Sequence, residues 1–289
     1  MLAKYAAVCL LLPVIQIQAS QQACGQHPNA IARATEFHNL FDFTMPENRL
    51  VGGIETNPHS WPWVVQLTYR GAHRCGGALI DDEFVVTAAH CFARSRNPAM
   101  YRIRVGAHKS NSGRAHLITN ISTHSLFNVV WPSSYDVAVL RITPPVKLNE
   151  TETARTICLP SLPAVTHKLC VVAGKYYSWG MTKENGRKSD VLREIHVPIL
   201  PFTQCNNLAH YAGRVHLPSM ICAGYTQGIV DSCQGDSGGP LMCTNMGQWE
   251  VHGLVSWGIG CGRPGHPGVY SNVHAALPWI QLEMAKLRG

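Results

Sequence analysis

Residues 231–240 read Asp231-Ser232-Cys233-Gln234-Gly235-Asp236-Ser237-Gly238-Gly239-Pro240. The glycines mark a backbone that turns tightly or lets another molecule approach closely. Ser237 stands among them without helical or strand periodicity, as a serine presented from a loop would. Asp231 and Asp236 lie in apolar surroundings, where a carboxylate needs a partner. Taken alone, the segment is equally compatible with an ordinary tight turn.

Two other segments decide against the ordinary turn. His90 follows an apolar run in Thr87-Ala88-Ala89-His90-Cys91, and Asp136 opens an alternating run at 136–140. Histidine, aspartate and serine in this chain order are also the order of the chymotrypsin triad. From about Leu50 to the C-terminus the sequence therefore resembles the chymotrypsin-like (trypsin-type) serine proteases.

The resemblance implies a role for each residue of these segments. His90 is expected to act as general base and then general acid, and Asp136 to orient it. Ser237 is expected to be the nucleophile. The backbone N–H groups of Gly235 and Ser237 are expected to form the oxyanion hole.

The fold class follows from short strand-like runs. The ranges 61–69, 78–88, 101–105 and 136–142 are apolar, β-branched or alternating, and turn clusters separate them. Such a pattern predicts an all-β sandwich or barrel. The resemblance narrows this to two six-stranded antiparallel β-barrels with the active site in the cleft between them. Apolar Ala276, Ile280 and Met284 predict a short C-terminal helix over 275–287.

The resemblance also predicts the substrate pocket. Asp231, six residues before Ser237, is expected at the pocket floor, where it pairs with a substrate Arg or Lys; the alternative is a surface turn aspartate. Gly258 and Gly268 are expected to leave the pocket unobstructed. The segment Ser256-Trp257-Gly258 is expected to pair with the substrate backbone as an added strand.

The N-terminal region reads as export and activation segments. Lys4, a short apolar run and small residues at 19–20 predict a signal peptide over 1–20. A membrane anchor is the alternative, but the run is short for one. Residues 21–49 are expected to be a propeptide and 50–289 the protease domain. Cleavage after Arg49 is expected to free Leu50, whose amine pairs with Asp236.

Cysteine usage points to an oxidising compartment. Of eleven cysteines, Cys9 lies in the signal, which leaves an even number. Metal binding is the alternative, but the sequence contains no C-x-x-C pair. The family resemblance implies the pairs Cys24–Cys158, Cys75–Cys91, Cys170–Cys243, Cys205–Cys222 and Cys233–Cys261. The first of these would keep the propeptide attached as a light chain.

The charge is unevenly distributed. The formal net charge is +7, and no Asp or Glu occurs between Glu83 and Asp136. Turns in this interval are flanked by Arg94 and Arg96, and by Lys109 and Arg114. We hypothesise that these four form a patch for sulfated glycans, rather than for nucleic acid, because no nucleic-acid module is recognisable. The alternative is that they are scattered solubilising residues.

One insertion departs from the family pattern. Residues 175–178 stand between Gly174 and Trp179, where the family runs directly from glycine to tryptophan. This insertion is the one feature that favours an alternative function, a catalytically inactive binding module on the same fold. The complete set of His90, Asp136 and Ser237 favours an active endopeptidase.

The remaining expectations concern modification, ligands and location. Asn120 and Asn149 begin glycosylation tripeptides on apparent loops. No acidic residue occurs in 106–116, so no calcium site, metal or other cofactor is expected. The expected partners are protein substrates and serine protease inhibitors, with a monomeric chain and no membrane anchor. The segments 141–146, 211–215 and 221–225 resemble the acrosin branch of the family, which implies secretion or storage in the acrosome.

Overall fold

The computed structural model describes residues 24–26, 53–148, 153–174, 190–228, 231–232 and 235–289. A short strand, β1 (Ile54–Glu55), opens the longest of these ranges. Six antiparallel strands then close the first barrel, in the ring order β2 (Val64–Tyr69), β3 (Ala72–Leu79), β4 (Phe84–Thr87), β7 (Ala138–Thr143), β6 (Arg114–Thr123) and β5 (Tyr101–Val105).

The second barrel is built from the later strands. Its ring order is β8 (Leu169–Gly174), β9 (Arg193–Leu200), β10 (Met220–Ala223), β13 (Gly268–Asn272), β12 (Gln248–Trp257) and β11 (Pro240–Asn245), and β11 returns to β8. All pairings are antiparallel, and β1 adds to the outer end of β9. The predicted fold of two six-stranded antiparallel barrels is therefore confirmed.

The strand boundaries differ from the sequence prediction in two places. The range 78–88 is not one strand, because a turn with three acidic residues separates Leu79 at the end of β3 from Phe84 at the start of β4. In this turn the Asp81 carboxylate accepts a hydrogen bond from the Glu83 N–H at 3.2 Å. Strand β6 has no clear alternation to reveal it, since most of its side chains are exposed or half-buried.

Two helices complete the described fold. The helix α1 (Phe202–Cys205) is a single turn, and α2 (Val273–Arg288) ends the chain as predicted. The Asn272 side chain caps α2 by accepting a hydrogen bond from the Ala275 N–H at 3.3 Å. The last turn of α2 reaches the first barrel, where Arg288 pairs with Asp81 at 2.6 Å. Within the described ranges, no helix combines the length and apolarity that crossing a bilayer requires.

Tryptophans fill the junction between the two barrels. Trp61 packs edge-on against Trp249 of β12 with ring centroids 4.8 Å apart. The Trp63 Nε1–H points to the Met242 sulfur of β11 at 3.0 Å. Each of these aromatic side chains is almost fully buried, so the two barrels share one apolar core at this face.

Disulfides join segments that are distant in sequence. The structure contains Cys24–Cys158, Cys75–Cys91, Cys170–Cys243 and Cys205–Cys222, as the resemblance implied. Cys261 is also disulfide-bonded, and its expected partner, Cys233, lies outside the described residues.

The segment 24–26 is held by more than its disulfide. The Gly25 N–H donates to the Thr156 carbonyl at 2.8 Å, and the Gly25 carbonyl accepts from the Trp249 N–H at 3.0 Å. Gly25 has φ +65°, and a Cβ there would lie 2.4 Å from the Trp249 oxygen. Only glycine fits this docking point on the second barrel.

Candidate active site

His90 and Asp136 meet at the end of two neighbouring strands. His90 lies on a 3₁₀ turn, Ala89–Phe92, directly after β4, and Asp136 lies just before β7. Because Thr87 and Ala138 pair across these strands, the two side chains are brought to the same edge. The His90 Nδ1 is 2.6 Å from Asp136 Oδ2, and the His90 N–H donates to Asp136 Oδ1 at 2.9 Å. Asp136 is 1% exposed, so its charge depends on these donors.

A third donor to Asp136 comes from the second barrel. The Ser256 hydroxyl on β12 donates to Asp136 Oδ2 at 2.6 Å. From the sequence, Ser256 was expected only in the strand that pairs with substrate. Its contact with Asp136 was missed because no spacing in the sequence links residues that are 120 positions apart. The carboxylate is thus fixed from both barrels.

The glycine-rich segment places Ser237 between the barrels. The Ser237 carbonyl accepts from the Gly76 N–H of β3 at 2.9 Å, and the Gly238 N–H donates to the Val255 carbonyl of β12 at 2.8 Å. A Cβ on Gly238 would lie 2.2 Å from Oγ1 of Thr87, three residues before His90. The glycine is therefore required for Ser237 to approach the strand that leads to His90.

Ser237 is half-buried, and its side chain is available for reaction. Its Oγ makes no hydrogen bond to any residue that the structure describes, including His90. Nucleophile–base hydrogen bonds are often long before substrate binds, and they tighten in the complex.

The N–H groups around Ser237 fall into two sets. Those of Gly238 and Gly239 donate to main-chain carbonyls within the fold. Those of Gly235 and Ser237 make no hydrogen bond in the described part of the chain. Two unpaired N–H groups beside a serine hydroxyl can stabilise a developing oxyanion.

His73 supports the backbone at Gly235. Its Nε2 lies 2.8 Å from the Gly235 carbonyl, and its Nδ1 lies 3.0 Å from Nε2 of Gln66. Because the amide of Gln66 donates to Nδ1, the proton of the ring is on Nε2, which donates to Gly235. Gly235 itself has φ +103°, in the region that favours glycine. Neither His73 nor Gln66 was singled out from the sequence, because no motif marks them.

The carboxylate of Asp231 is buried, although the residue as a whole is only half-buried. Burial raises the pKa of Asp231 to about 7, and the hydrogen bond from the Gly262 N–H, at 3.2 Å from Oδ2, offsets part of that rise. The other oxygen, Oδ1, is buried and makes no hydrogen bond with a described residue. A buried acceptor without a partner is costly, so this oxygen is suited to receive a donor from outside.

Two glycines leave the space above Asp231 open. A Cβ on Gly268 would lie 2.8 Å from Asp231 Oδ1, so any larger residue there would cover the carboxylate. A Cβ on Gly258 would meet nothing closer than 3.7 Å. Trp257, the last residue of β12, packs against Tyr211 with centroids 5.0 Å apart. These contacts bring together four residues that were predicted for the substrate pocket: Asp231, Trp257, Gly258 and Gly268.

Asp236 lies next to Gly174, the last residue of β8. It is 2% exposed, and a Cβ on Gly174 would lie 2.2 Å from its Oδ1. It lines a small cleft together with His73 and Gly235. Arg49 and Leu50, with which activation was associated, lie outside the described residues, as do the insertion 175–178 and Asn149.

The remaining predicted residues lie on the surface. Arg94, Arg96, Lys109 and Arg114 are all exposed. The first two precede β5 and the last two follow it, so the four lie toward opposite ends of that strand rather than side by side. Asn120 is exposed, but it lies on strand β6 and not on a loop.

The described residues include one group with metal-binding atoms close together. Atoms of Cys75, His90 and Cys91 lie within 4.8 Å of one another. Both cysteines are joined in a disulfide, so they have no thiolate to offer a metal.

A comparison with protein families agrees with this geometry. The family model described as Trypsin matches residues 50–280, which is most of the chain and includes both barrels. The match also includes every residue of the candidate site from His73 to Gly268. The chain therefore belongs to the trypsin family of serine proteases.

Proposed function

We propose that this protein is a secreted serine endopeptidase, made as an inactive precursor, that hydrolyses peptide bonds after Arg or Lys. The observation that carries the proposal is the contact of His90 with buried Asp136 at 2.6 Å, beside a half-buried Ser237. Imidazole held in this way by a carboxylate is suited to take a proton from a serine hydroxyl.

The proposed reaction has two halves. In the first, Ser237 Oγ bonds to the substrate carbonyl carbon while its proton passes to His90. The carbon–nitrogen bond then breaks, and the leaving amine takes the proton from His90. In the second half, water attacks the acyl group by the same route and regenerates Ser237.

Asp136 and the free N–H groups stabilise the charges that form. The Asp136 carboxylate faces the imidazolium and keeps the ring in one tautomer. The N–H groups of Gly235 and Ser237 bind the oxyanion, each contributing about 100- to 1,000-fold in rate. The Ser256 hydroxyl positions Asp136 from the opposite barrel.

The preference for Arg or Lys is assigned to Asp231. Its unpaired Oδ1 and the open space at Gly268 support this assignment. A substrate guanidinium can meet both carboxylate oxygens, whereas an ammonium binds as a point charge. Asp231→Ser is therefore expected to reduce cleavage after Arg at least as much as cleavage after Lys. Cleavage after Arg at the original rate would contradict the assignment.

Activation and secretion are proposed from the sequence. Cleavage after Arg49 would free the Leu50 amine, and buried Asp236, next to Ser237, is its proposed partner. The Cys24–Cys158 disulfide would then keep the light chain attached. The signal peptide over 1–20 would direct the chain out of the cell.

An acrosin-like role in fertilisation is proposed on narrower grounds. Its support is the likeness of the segments 141–146, 211–215 and 221–225 to acrosin, together with the light-chain cysteine and the net charge of +7. Antibody staining of sperm tests it: signal in the acrosome supports the role, and expression confined to other tissues contradicts it.

The decisive experiment is a peptidase assay on the cleaved chain. The purified protein is cut after Arg49 with an immobilised protease that is then removed, and it is assayed on peptides that differ only in Arg, Lys or Ala before the scissile bond. The controls are Ser237→Ala, treated identically, and uncut Arg49→Gln. We expect activity on the Arg and Lys peptides from the cut wild type alone. Equal activity of cut wild type and Ser237→Ala would refute the proposal.

A further inference from the structure

Three arginines of the first barrel, Arg70, Arg74 and Arg94, lie around the 3₁₀ turn that carries His90 and the aromatic rings packed against that turn. We call them the arginine rim. We propose that the arginine rim selects substrates that carry acidic side chains in the first three positions after the scissile bond. This inference rests on the proposed function, because it names a preference of the same active site.

Arg74 is the member of the rim closest to the catalytic centre. It lies on β3, next to the Cys75–Cys91 disulfide. Its Nε donates to the Cys91 carbonyl at 3.0 Å, and its Nη2 donates to the His90 carbonyl at 3.4 Å. The guanidinium is therefore fixed against the main chain of the catalytic histidine while remaining half-buried.

Arg70 contacts an aromatic cluster that includes Phe92 of the turn carrying His90, and Arg94 closely follows that turn in the chain. Arg94 is exposed and follows the 3₁₀ turn that carries His90. The ring of buried Tyr101 packs against Tyr69 and Phe92, with centroids 5.0 Å away in each case. Arg70 lies over the Tyr69 ring at 5.5 Å.

Two charges of the rim, those of Arg74 and Arg94, act on the hydroxyl of Tyr101 in this cluster. Burial raises the pKa of the Tyr101 hydroxyl, and the positive charges of Arg74 and Arg94 both oppose that rise. The potential of both guanidinium groups therefore reaches the Tyr101 hydroxyl.

The rim lacks acidic partners. No carboxylate of the described residues lies within the 4 Å ion-pair distance of Arg70, Arg74 or Arg94. Arg94 also lies in the interval between Glu83 and Asp136, which contains no Asp or Glu. The positive potential is thus not neutralised locally, and it is available to an anionic ligand.

The proposed reaction brings the leaving part of the substrate to this rim. The residue before the scissile bond enters the Asp231 pocket of the second barrel, and the leaving amine takes its proton from His90 of the first barrel. The chain beyond the bond therefore departs across the His90 side of the cleft. There the Cys91 sulfur lies 4.0 Å from the Ser237 carbonyl, and Arg74 binds the same main-chain segment.

The expected size of the preference follows from solvent-exposed ion pairs. Each such pair changes an equilibrium by a small factor, and two simultaneous pairs give about fivefold in kcat/KM. The effect is screened by salt, because the Debye length falls from about 10 Å at 0.1 M to about 3 Å at 1 M.

The test uses internally quenched peptides that share one sequence up to an Arg before the scissile bond. The three following positions are Asp-Glu-Asp, Ala-Ala-Ala or Lys-Lys-Lys. For the cleaved wild type we expect kcat/KM to be about fivefold higher for the acidic than for the alanine peptide, with most of this difference lost in 1 M NaCl. Arg70→Gln/Arg94→Gln is expected to abolish most of the preference, and Arg74→Gln to reduce it.

A matched control separates the rim from net charge. Lys109→Gln/Arg114→Gln removes two charges toward the other end of β5 and is expected to keep the acidic preference. Equal preferences in Arg70→Gln/Arg94→Gln and this control would overturn the proposal, and so would a wild type without preference. A coumarin amide substrate, which has no residues after the scissile bond, shows whether Arg74→Gln has only disturbed His90. If Arg74 determines specificity, Arg74→Gln lowers the ratio of kcat/KM for the acidic peptide to that for the alanine peptide. If Arg74 is only structural, Arg74→Gln lowers the rates for all substrates equally.

Binding distinguishes failure of the rim from failure of the proposed function. Fluorescence anisotropy with Ser237→Ala measures affinity for the acidic and alanine peptides without turnover. Tighter binding of the acidic peptide, lost in the Arg70/Arg94 double variant, would support the rim even if no substrate were cleaved. If heparin bound through these arginines while the acidic peptide bound no better than the alanine peptide, the rim would be a glycan site and the proposal would fail.

Discussion

The pH dependence of cation binding tests the assignment of Asp231 to the substrate pocket. Burial raises the pKa of Asp231 from 3.8 to about 7, and only the ionised carboxylate attracts an amidinium or guanidinium. With this pKa, the Asp231 carboxyl is ionised in about 1% of the molecules at pH 5 and in about 90% at pH 8. The affinity for a small cation such as benzamidine is therefore expected to rise about 100-fold between pH 5 and pH 8.

The same carboxyl has the opposite effect on folding stability. Its pKa is higher in the folded than in the unfolded chain, so the folded state holds the extra proton. Its contribution to the free energy of unfolding therefore falls as pH rises from about 4 to about 7. Bound benzamidine supplies the missing partner, so the stabilisation that it gives should increase over the same pH range.

Both quantities can be measured on Ser237→Ala, which avoids self-digestion. After cleavage at Arg49, isothermal titration gives the benzamidine dissociation constant at each pH, and differential scanning calorimetry gives Tm with and without ligand. In the control that adds Asp231→Asn, the affinity should be weak and nearly independent of pH. A benzamidine affinity that stays constant from pH 5 to pH 8 would refute the reasoning, because another group would then bind the cation.

Three further predictions follow from close contacts and exposure. Gly268→Ala should lower kcat/KM for Arg substrates by more than tenfold, because its Cβ would cover Asp231 Oδ1. Steady-state kinetics normalised by active-site titration check this prediction. An unchanged kcat/KM would contradict the pocket geometry. Gly25→Ala should destabilise the protein by about 1–3 kcal/mol, because Gly25 has a positive φ and Trp249 leaves no room for a Cβ. Calorimetry should show a lower Tm, and a non-reducing gel should show that the Cys24–Cys158 bond is still present. Asn120→Gln should remove one glycan from protein secreted by animal cells, because Asn120 is exposed. Mass spectrometry of the intact chain checks this, with Asn149→Gln as the comparison. A glycan mass unchanged by Asn120→Gln would exclude Asn120 as a glycosylation site.

The sequence was sufficient where chemistry depends on local motifs. His90, Asp136 and Ser237 stand out because each lies in a distinctive segment, and the structure brings the segments of the two barrels together at these points. Strand boundaries were less predictable. The range 78–88 was read as one run, although Asp81, Asp82 and Glu83 interrupt its apolar residues and form the turn between the two strands.

Contacts between distant strands could not be read from spacing. Ser256 was expected beside the substrate, but its hydroxyl donates to Asp136 from the second barrel. His73 supports Gly235 across 162 positions, and no sequence pattern marks it. Arg94 and Arg96 were expected to form one patch with Lys109 and Arg114, yet β5 lies between the two pairs. For Ser256 and His73 the missing information is the register in which one barrel meets the other, and for the basic residues it is the length of β5 between them.

The sharing of Asp136 between the barrels has a consequence for how the enzyme loses activity. His90 holds this carboxylate from one barrel and Ser256 from the other, at 2.6 Å each. A hydrogen bond of this length is lost when its partners separate by about 1 Å. A small displacement of one barrel relative to the other would therefore inactivate the enzyme, although the strands of each barrel would stay hydrogen-bonded to one another. In mild denaturant, inactivation should precede the loss of circular dichroism.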